Sequence, residues 1–172
     1  MVEIFFFCAI IDNREKIVKK EAKDMAIMEA SPTKESDLFK GVSNRVIGEI
    51  GQGAVEVVFE PDTFIFKTDD EASTIYELVE GTVDIMVLEK EHMQYTVTRP
   101  GEIFGWSAMI EPYVYTGTAR AATLVKAIGI NRNIIEATVT RHPAEGLIIY
   151  KNLAGIIGQR LKSAYQHIYR QG

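Results

Sequence analysis

The chain has 172 residues, of which 47% are hydrophobic and 25% charged, and its formal net charge is −5. These values are typical of a globular domain with an appendage, and they provide none of the basic surface that a self-sufficient nucleic-acid-binding domain presents. The single cysteine, Cys8, excludes a disulfide framework within one chain and a cluster with several cysteine ligands, which favours a cytoplasmic location.

Residues 1–35 are predicted to form an N-terminal extension that is partly helical. The apolar run at residues 4–11 is too short to cross a bilayer, and no basic segment of a secretion signal precedes it, so we expect no membrane anchor. Residues 12–29 are highly charged and contain neither glycine nor proline. This composition predicts a helix capped by Asp12 or Asn13.

The start of the chain has two interpretations. Residues 20–22 (KEA) can be encoded by a purine-rich run of the kind that bacterial ribosomes bind, and Met25 follows shortly after them. Translation beginning at Met25 is therefore one hypothesis. The other is a genuine leading helix that packs on the rest of the protein or on a partner.

From residue 36 onward, short alternating runs replace the charged helical pattern. Ser43 is placed to cap a short helix over residues 45–50. Turn signals, among them Gly81 in a tight turn, then separate brief segments that alternate between apolar and polar residues. This spacing predicts a mainly β sandwich or barrel with jelly-roll connectivity, with strands over residues 55–59, 64–67, 74–79, 83–88, 94–98, 115–121 and 124–130.

Two helices are predicted after the last strand. Residues 131–140 form the first, capped by Asn131 and ended by Arg141-His142-Pro143, because a residue before proline avoids helical geometry. Residues 144–169 form the second and longest helix. One row of its apolar residues follows a heptad spacing and consists of Leu147, Tyr150, Ala154, Ile157, Leu161, Ala164 and Ile168.

A second apolar row on the long helix contains Ile149, Leu153 and Ile156. Two rows indicate two covered surfaces, so we expect the second row to pack on the β domain and the heptad row to form a homodimer with another copy. Gly155 and Gly158, which weaken a helix, suggest a close backbone approach. The alternative is one broad stripe that packs on the β domain without a dimer.

The segment 100–122 (PGEIFGWSAMIEPYVYTGTARAA) is the most informative part of the chain. After Gly105 it is predicted to form one helical turn over residues 106–110. The N–H groups at the start of such a turn, together with the helix dipole, favour an anion.

Within this segment, residues 104–109 (FGWSAM) and 115–121 (YTGTARA) resemble the two halves of a phosphate-binding cassette, and residues 37–43 (DLFKGVS) resemble the entry that precedes it. The cassette is that of the cyclic-nucleotide-binding domain in the catabolite activator (CRP/FNR) superfamily. The resemblance implies a cupin-like jelly roll with entry and exit helices over residues 36–143, and a dimerisation helix over residues 144–172. It also implies a cyclic nucleotide such as cyclic AMP or cyclic GMP as the ligand.

Two residues depart from the pattern of that family. The family's ribose-binding glutamate falls at Trp106, and its phosphate-binding arginine falls at Tyr115. A charge-assisted hydrogen bond contributes roughly 1.5–3 kcal/mol, so these changes should weaken nucleotide binding and favour a flatter, more apolar ligand. The resemblance implies these ligand-binding residues: Phe104, Gly105, Trp106, Ser107, Ala108, Tyr115, Thr116 and Thr118.

The hypothesis from sequence is therefore a regulatory sensor that binds a small anionic ligand and signals through its long helix to a partner. No helix-turn-helix domain follows that helix, so we expect no direct binding of nucleic acid. One alternative is an interaction module whose aromatic residues fill the pocket. Another is a fragment of a transcription regulator. A metal-dependent cupin enzyme is disfavoured, because His92, His142 and His167 lie far apart in sequence.

Overall fold

The computed structural model describes Pro32 and residues 35–88 and 93–171, without the side chains of residues 88, 93, 94 and 167–171. The predicted N-terminal helix, the choice between Met1 and Met25, and His92 therefore lie outside the described residues. The side chains of His167 and Ile168 lie outside them as well.

Two antiparallel sheets face each other and form a mainly β jelly-roll sandwich. The strands within the described residues are β1 (Val55–Phe59), β2 (Phe64–Phe66), β3 (Thr74–Glu80), β4 (Val83–Leu88), β5 (Met93–Val97), β6 (Ile103–Phe104), β7 (Thr118–Ala121) and β8 (Val125–Asn131). The first sheet has the strand order β1-β8-β3-β6, and the second has the order β2-β7-β4-β5. The predicted fold class is confirmed.

Two strands differ from the prediction. Strand β6 was not predicted, since two residues are too few to show alternation; they pair with Tyr76 and Glu77 of β3. The strand predicted over residues 115–121 begins only at Thr118, because residues 115–117 lie in the turn that leads into it.

Three α-helices and one 3₁₀ turn flank the sheets within the described residues, namely α1 (Asn44–Gly51), the 3₁₀ turn (Trp106–Met109), α2 (Arg132–Arg141) and α3 (Pro143–Gln171). The Asn131 side chain caps α2 as predicted, accepting a hydrogen bond from the Asn133 N–H at 2.9 Å. The cap predicted for Ser43 was wrong in its detail. The Ser43 side chain makes no capping bond, and its N–H instead donates to Glu145 at 3.0 Å.

The sandwich and the helices enclose two apolar clusters. One lies between the sheets and includes Leu78 and Phe104. The other joins β3 to the helices and includes the buried side chains of Ile149 and Leu153, with Ile156 packed against it. The second apolar row of the long helix therefore packs on its own chain, as predicted. No helix in the described part of the chain combines the length and apolarity needed to cross a bilayer.

The heptad row of α3 is divided between two environments. Its first three members, Leu147, Tyr150 and Ala154, are exposed, with Leu147 72% accessible. Its next three members lie over an opening in the sandwich, described below. A Cβ atom added at Gly155 or Gly158 would meet no described atom within 4 Å, so packing among the described residues requires neither glycine.

Candidate functional site

A cavity of about 480 Å³ lies between the sandwich and the C-terminal half of α3. This volume falls within the range of roughly 300–1,000 Å³ that is typical of small-molecule sites. Most of the lining is apolar, and Arg160 is the one charged side chain that lines it among the described residues. The lining consists of Phe66, Ile85, Val87, Tyr95, Gly105, Trp106, Ser107, Tyr115, Thr116, Gly117, Ile157, Arg160, Leu161, Ser163 and Ala164.

Gly105 starts the turn that forms one edge of the cavity. Its φ of 73° lies in the left-handed region, where an L side chain is strained. A Cβ atom there would also lie 3.2 Å from the Thr74 carbonyl oxygen and 3.2 Å from the Tyr76 ring. The glycine lets the chain leave β6 and enter the 3₁₀ turn close to β3. The helical turn predicted after Gly105 is therefore present.

Tyr115 lies in the floor of the cavity and is only 5% exposed. Its hydroxyl donates a hydrogen bond to the Thr74 carbonyl oxygen at 2.6 Å. Its ring stacks on Phe66, which also contacts Phe104 and Tyr76 through stacked rings. Burial is the main cause that raises the pKa of Tyr115 above its ordinary value of 10.0. The phenol is therefore a neutral group whose donor is already used within the protein.

Trp106 and Tyr95 lie on the side of the cavity that faces α3. Trp106 is partly buried and packs against the cluster beneath the helices. Burial raises the pKa of Tyr95, while Arg160 and a hydrogen bond with Trp106 lower it. Trp106 therefore lines the cavity without filling it.

Arg160 projects from α3 toward the same side. Its guanidinium donates a hydrogen bond to Glu102, and its Cζ lies 4.3 Å from the centroid of the Tyr95 ring. The side chains of Arg160 and Glu102 are 25% and 15% exposed. These contacts hold a cation at the edge of an apolar cavity, where it is partly shielded from water.

The structure brings together five of the eight sequence-predicted site residues on the cavity lining, namely Gly105, Trp106, Ser107, Tyr115 and Thr116. The Ser107 and Thr116 hydroxyls lie 3.4 Å apart and join the two halves of the segment.

The other three, all described, do not line the cavity. Phe104 and Ala108 are fully buried beneath it. The Thr118 hydroxyl accepts a hydrogen bond from the Thr68 N–H at 3.1 Å, so it stabilises a neighbouring turn.

Sequence reasoning missed the contribution of α3. Ile157, Leu161 and Ala164 were predicted to face a second copy, but they line the cavity of their own chain. Sequence reasoning also assigned no role in the site to Arg160. The only signal that the apolar residues line the cavity and that Arg160 supplies its cation was their position on the same helix. Helical periodicity does not identify what a helix face covers. Among the described residues, no group of three or more histidine, cysteine or acidic residues could hold a metal ion.

A jelly-roll sandwich closed by a long helix, with a cavity beside a glycine-started turn, is an architecture with room for a small molecule. The family model described as "Cyclic nucleotide-binding domain" matches residues 56–142. The chain belongs to this family.

Known proteins similar to this chain include a plant channel and two bacterial proteins. Potassium channel KAT3 from Oryza sativa subsp. japonica is 31% identical over 117 residues, which cover 67% of this chain and 23% of that protein. The chain thus spans less than a quarter of the channel's length.

Two solved structures share the fold. A protein named as a cyclic nucleotide-binding protein from Geobacter metallireducens GS-15 has a TM-score of 0.63 at 29% identity, covering 72% of this chain and 91% of that one. The catabolite activator protein of Thermus thermophilus has a TM-score of 0.63 at 20% identity, covering 79% and 63%.

Proposed function

We propose that this chain is a regulatory sensor domain that binds a small anionic ligand between the sandwich and α3, and that the bound ligand changes the position of α3 to signal to a partner. The observation that carries this proposal is the cavity itself. One wall contains the segment around Gly105 and Tyr115, and the opposite wall is the helix, through Ile157, Leu161 and Ala164. A cytoplasmic location, expected from the composition, is part of this proposal.

A ligand in such a cavity would contact two elements, the sandwich and α3. A ligand shifts a conformational equilibrium only when it binds one arrangement better than the other. Contacts with both the sandwich and α3 provide that difference, because any displacement of the helix moves five of the fifteen residues that line the cavity. The exposed residues Leu147, Tyr150 and Ala154 of the same helix are the surface we propose for a homodimer or a downstream partner.

Cyclic nucleotides are the first ligands to test, because the family and the Geobacter protein are named for binding them. We expect the native chain to bind them weakly. The residue at the arginine position is Tyr115, whose hydroxyl already donates to Thr74. Losing one charge-assisted contact corresponds to about one to two orders of magnitude in affinity.

The alternative function, an interaction module whose pocket is closed by aromatic residues, is less well supported. Tyr115 packs into the floor and Trp106 against the helical cluster, and a cavity of about 480 Å³ is still open beside them. The aromatic residues therefore reshape this space without filling it.

Calorimetric titration with cyclic AMP, cyclic GMP and cyclic dinucleotides tests the proposal. A Trp106→Glu plus Tyr115→Arg variant should bind cyclic AMP or cyclic GMP at least about tenfold more tightly than the native chain, because it restores both family side chains. A Tyr165→Arg variant, which places an arginine at an exposed position on α3, is the control for the introduced arginine. If the double variant folds and gains no binding, the cavity is not a site derived from nucleotide recognition.

A further inference from the structure

We propose that the ligand's anionic group is bound by Arg160 of α3, and that the ligand is a flat, mainly apolar molecule with one anionic group, such as an aromatic carboxylate or sulfonate. This inference rests on the proposed function and specifies the ligand class of the same cavity. It differs from nucleotide recognition because the anion is bound by the helix, while the glycine-started segment contributes mainly shape.

The walls of the cavity favour an apolar ligand. Phe66, Ile85 and Val87 line the sandwich side, and Ile157 and Leu161 line the helix side. Each 100 Å² of apolar surface removed from water stabilises a complex by about 2.5 kcal/mol before the cost of association is subtracted. A planar ring system would exclude water from these walls, and their aromatic members provide faces for stacking.

The hydroxyl groups of the lining are poorly placed to bind a sugar phosphate. The Ser107 and Thr116 hydroxyls lie within hydrogen-bonding distance of each other. The Ser163 hydroxyl donates to the Gln159 carbonyl at 3.0 Å, and the Tyr115 hydroxyl donates to Thr74. If a ligand rich in hydroxyl groups entered the cavity, several of the ligand's hydroxyl groups would have no partner. Each unpaired polar group is unfavourable in an apolar cavity.

The contacts of Arg160 leave it able to bind an anion. Among the described residues, its one hydrogen-bonding partner is Glu102, whereas a guanidinium carries five N–H donors. Glu102 is itself fixed, since its Oε2 accepts hydrogen bonds from the N–H groups of Thr98 and Arg99, both at 3.3 Å. Together with the Tyr95 ring, Glu102 holds the guanidinium in place at the cavity edge.

The charge balance at this edge favours a ligand with a single negative charge. Arg160 provides the one cation of the lining among the described residues, and the Glu102 carboxylate already offsets part of its field. A second negative charge on the ligand would meet no further cation in the described lining and would be repelled by Glu102. A monoanion, in contrast, shares the guanidinium with Glu102.

A matched pair of fluorescent probes tests this inference. The probe 8-anilinonaphthalene-1-sulfonate combines apolar rings with one sulfonate, and N-phenyl-1-naphthylamine has the same rings without the anion. Both should bind the native chain with one-to-one stoichiometry. Arg160→Gln should weaken binding of the sulfonate probe by about tenfold or more, equivalent to about 1.4 kcal/mol, and should leave the neutral probe within about twofold.

Three further variants control the experiment. Ala164→Phe fills the cavity from α3 and should prevent binding of both probes. Lys162→Gln removes an exposed positive charge from the same helix outside the cavity, so it should affect neither. The double variant Glu102→Gln plus Arg160→Gln avoids leaving an unpaired carboxylate. It tests the same loss of the cation if the single variant is unstable.

The outcomes separate this inference from the proposed function. If Ala164→Phe blocks both probes but neither arginine variant discriminates between them, the assignment of Arg160 is wrong and the ligand-binding cavity stands. If cyclic AMP displaces the sulfonate probe at stoichiometric concentration, the assigned ligand class is wrong. If neither probe binds, or if Ala164→Phe has no effect on them, this inference fails, and the calorimetric titration with cyclic nucleotides decides on the proposed function separately.

Discussion

The rings of Phe66 and Tyr115 stack with their centroids 3.8 Å apart and their planes 8° apart. This pair closes the floor of the cavity, and the resemblance in sequence aligns Tyr115 with the family's phosphate-binding arginine. Relative to that family pattern, the tyrosine changes two properties together. It removes a cation from the site, and it adds an aromatic surface that packs on its neighbour.

Replacing Tyr115 with phenylalanine should destabilise the protein by about 0.5–1.5 kcal/mol. The variant keeps the stacked ring but loses the hydrogen bond from the phenol to the Thr74 carbonyl. Urea unfolding followed by circular dichroism measures the difference. Tyr165→Phe, which removes a hydroxyl at an exposed position on α3, should leave the unfolding midpoint unchanged. A midpoint equally unaffected by both substitutions would show that the Thr74 bond does not contribute to stability.

The stability of the native chain should fall above about pH 10. Burial raises the pKa of Tyr115 above 10.0, and it also raises the pKa values of Tyr76 and Tyr95. A pKa raised in the folded state contributes stability that is fully present below the pKa of the unfolded chain and is lost as the pH rises above it. Urea midpoints measured between about pH 8 and pH 11 should decline less steeply for Tyr115→Phe. Parallel curves for the native chain and Tyr115→Phe would show that the raised pKa of Tyr115 does not contribute to this loss of stability.

Gly105→Ala should destabilise the protein by about 1–2 kcal/mol, because the backbone there is left-handed. The added methyl group would also press against the Thr74 carbonyl oxygen. Gly48→Ala is the matched control, since it lies within α1 and its added Cβ would meet nothing within 4 Å. It should stabilise the helix by up to about 1 kcal/mol. Thermal unfolding of both variants is the measurement, and a loss of similar size in both would contradict this explanation.

The exposed face of α3 is proposed to contact either a second copy of the chain or a downstream partner. The substitutions Gly155→Ala and Gly158→Ala distinguish these two possibilities. Each should stabilise the isolated chain by up to about 1 kcal/mol, because neither Cβ would come within 4 Å of an atom in the part of the chain that the structure describes. If two copies of the helix approach closely at these glycines, the same substitutions should weaken the homodimer. Sedimentation at several protein concentrations, combined with thermal unfolding, measures both effects. An unchanged association constant would exclude these glycines from an interface.

Much of the sandwich could be predicted from sequence because several strands bury one face. The alternation along residues 83–88, for example, corresponds to buried Val83 and Ile85. Strand β6 escaped prediction because its two residues are both buried and show no alternation. The turn at Gly105 was predictable because local sequence determines it.

The contribution of α3 to the site could not be predicted in the same way. Ile157, Leu161 and Ala164 follow a heptad spacing whether they face a second helix or a cavity of their own chain. Arg160 pairs with Glu102 across 58 positions of sequence, and no local pattern encodes that pairing. These relationships arise from the way the helix packs across the sandwich.

The most direct test of a ligand-binding cavity between the sandwich and α3 uses Trp106, the only tryptophan in the chain, which lines that cavity. Excitation of Trp106 should transfer energy to bound N-phenyl-1-naphthylamine, with tryptophan emission falling as the probe saturates one site. The Ala164→Phe variant should abolish this transfer. Transfer that does not saturate, or that persists unchanged in Ala164→Phe, would show that the probe binds elsewhere and would contradict the proposed site.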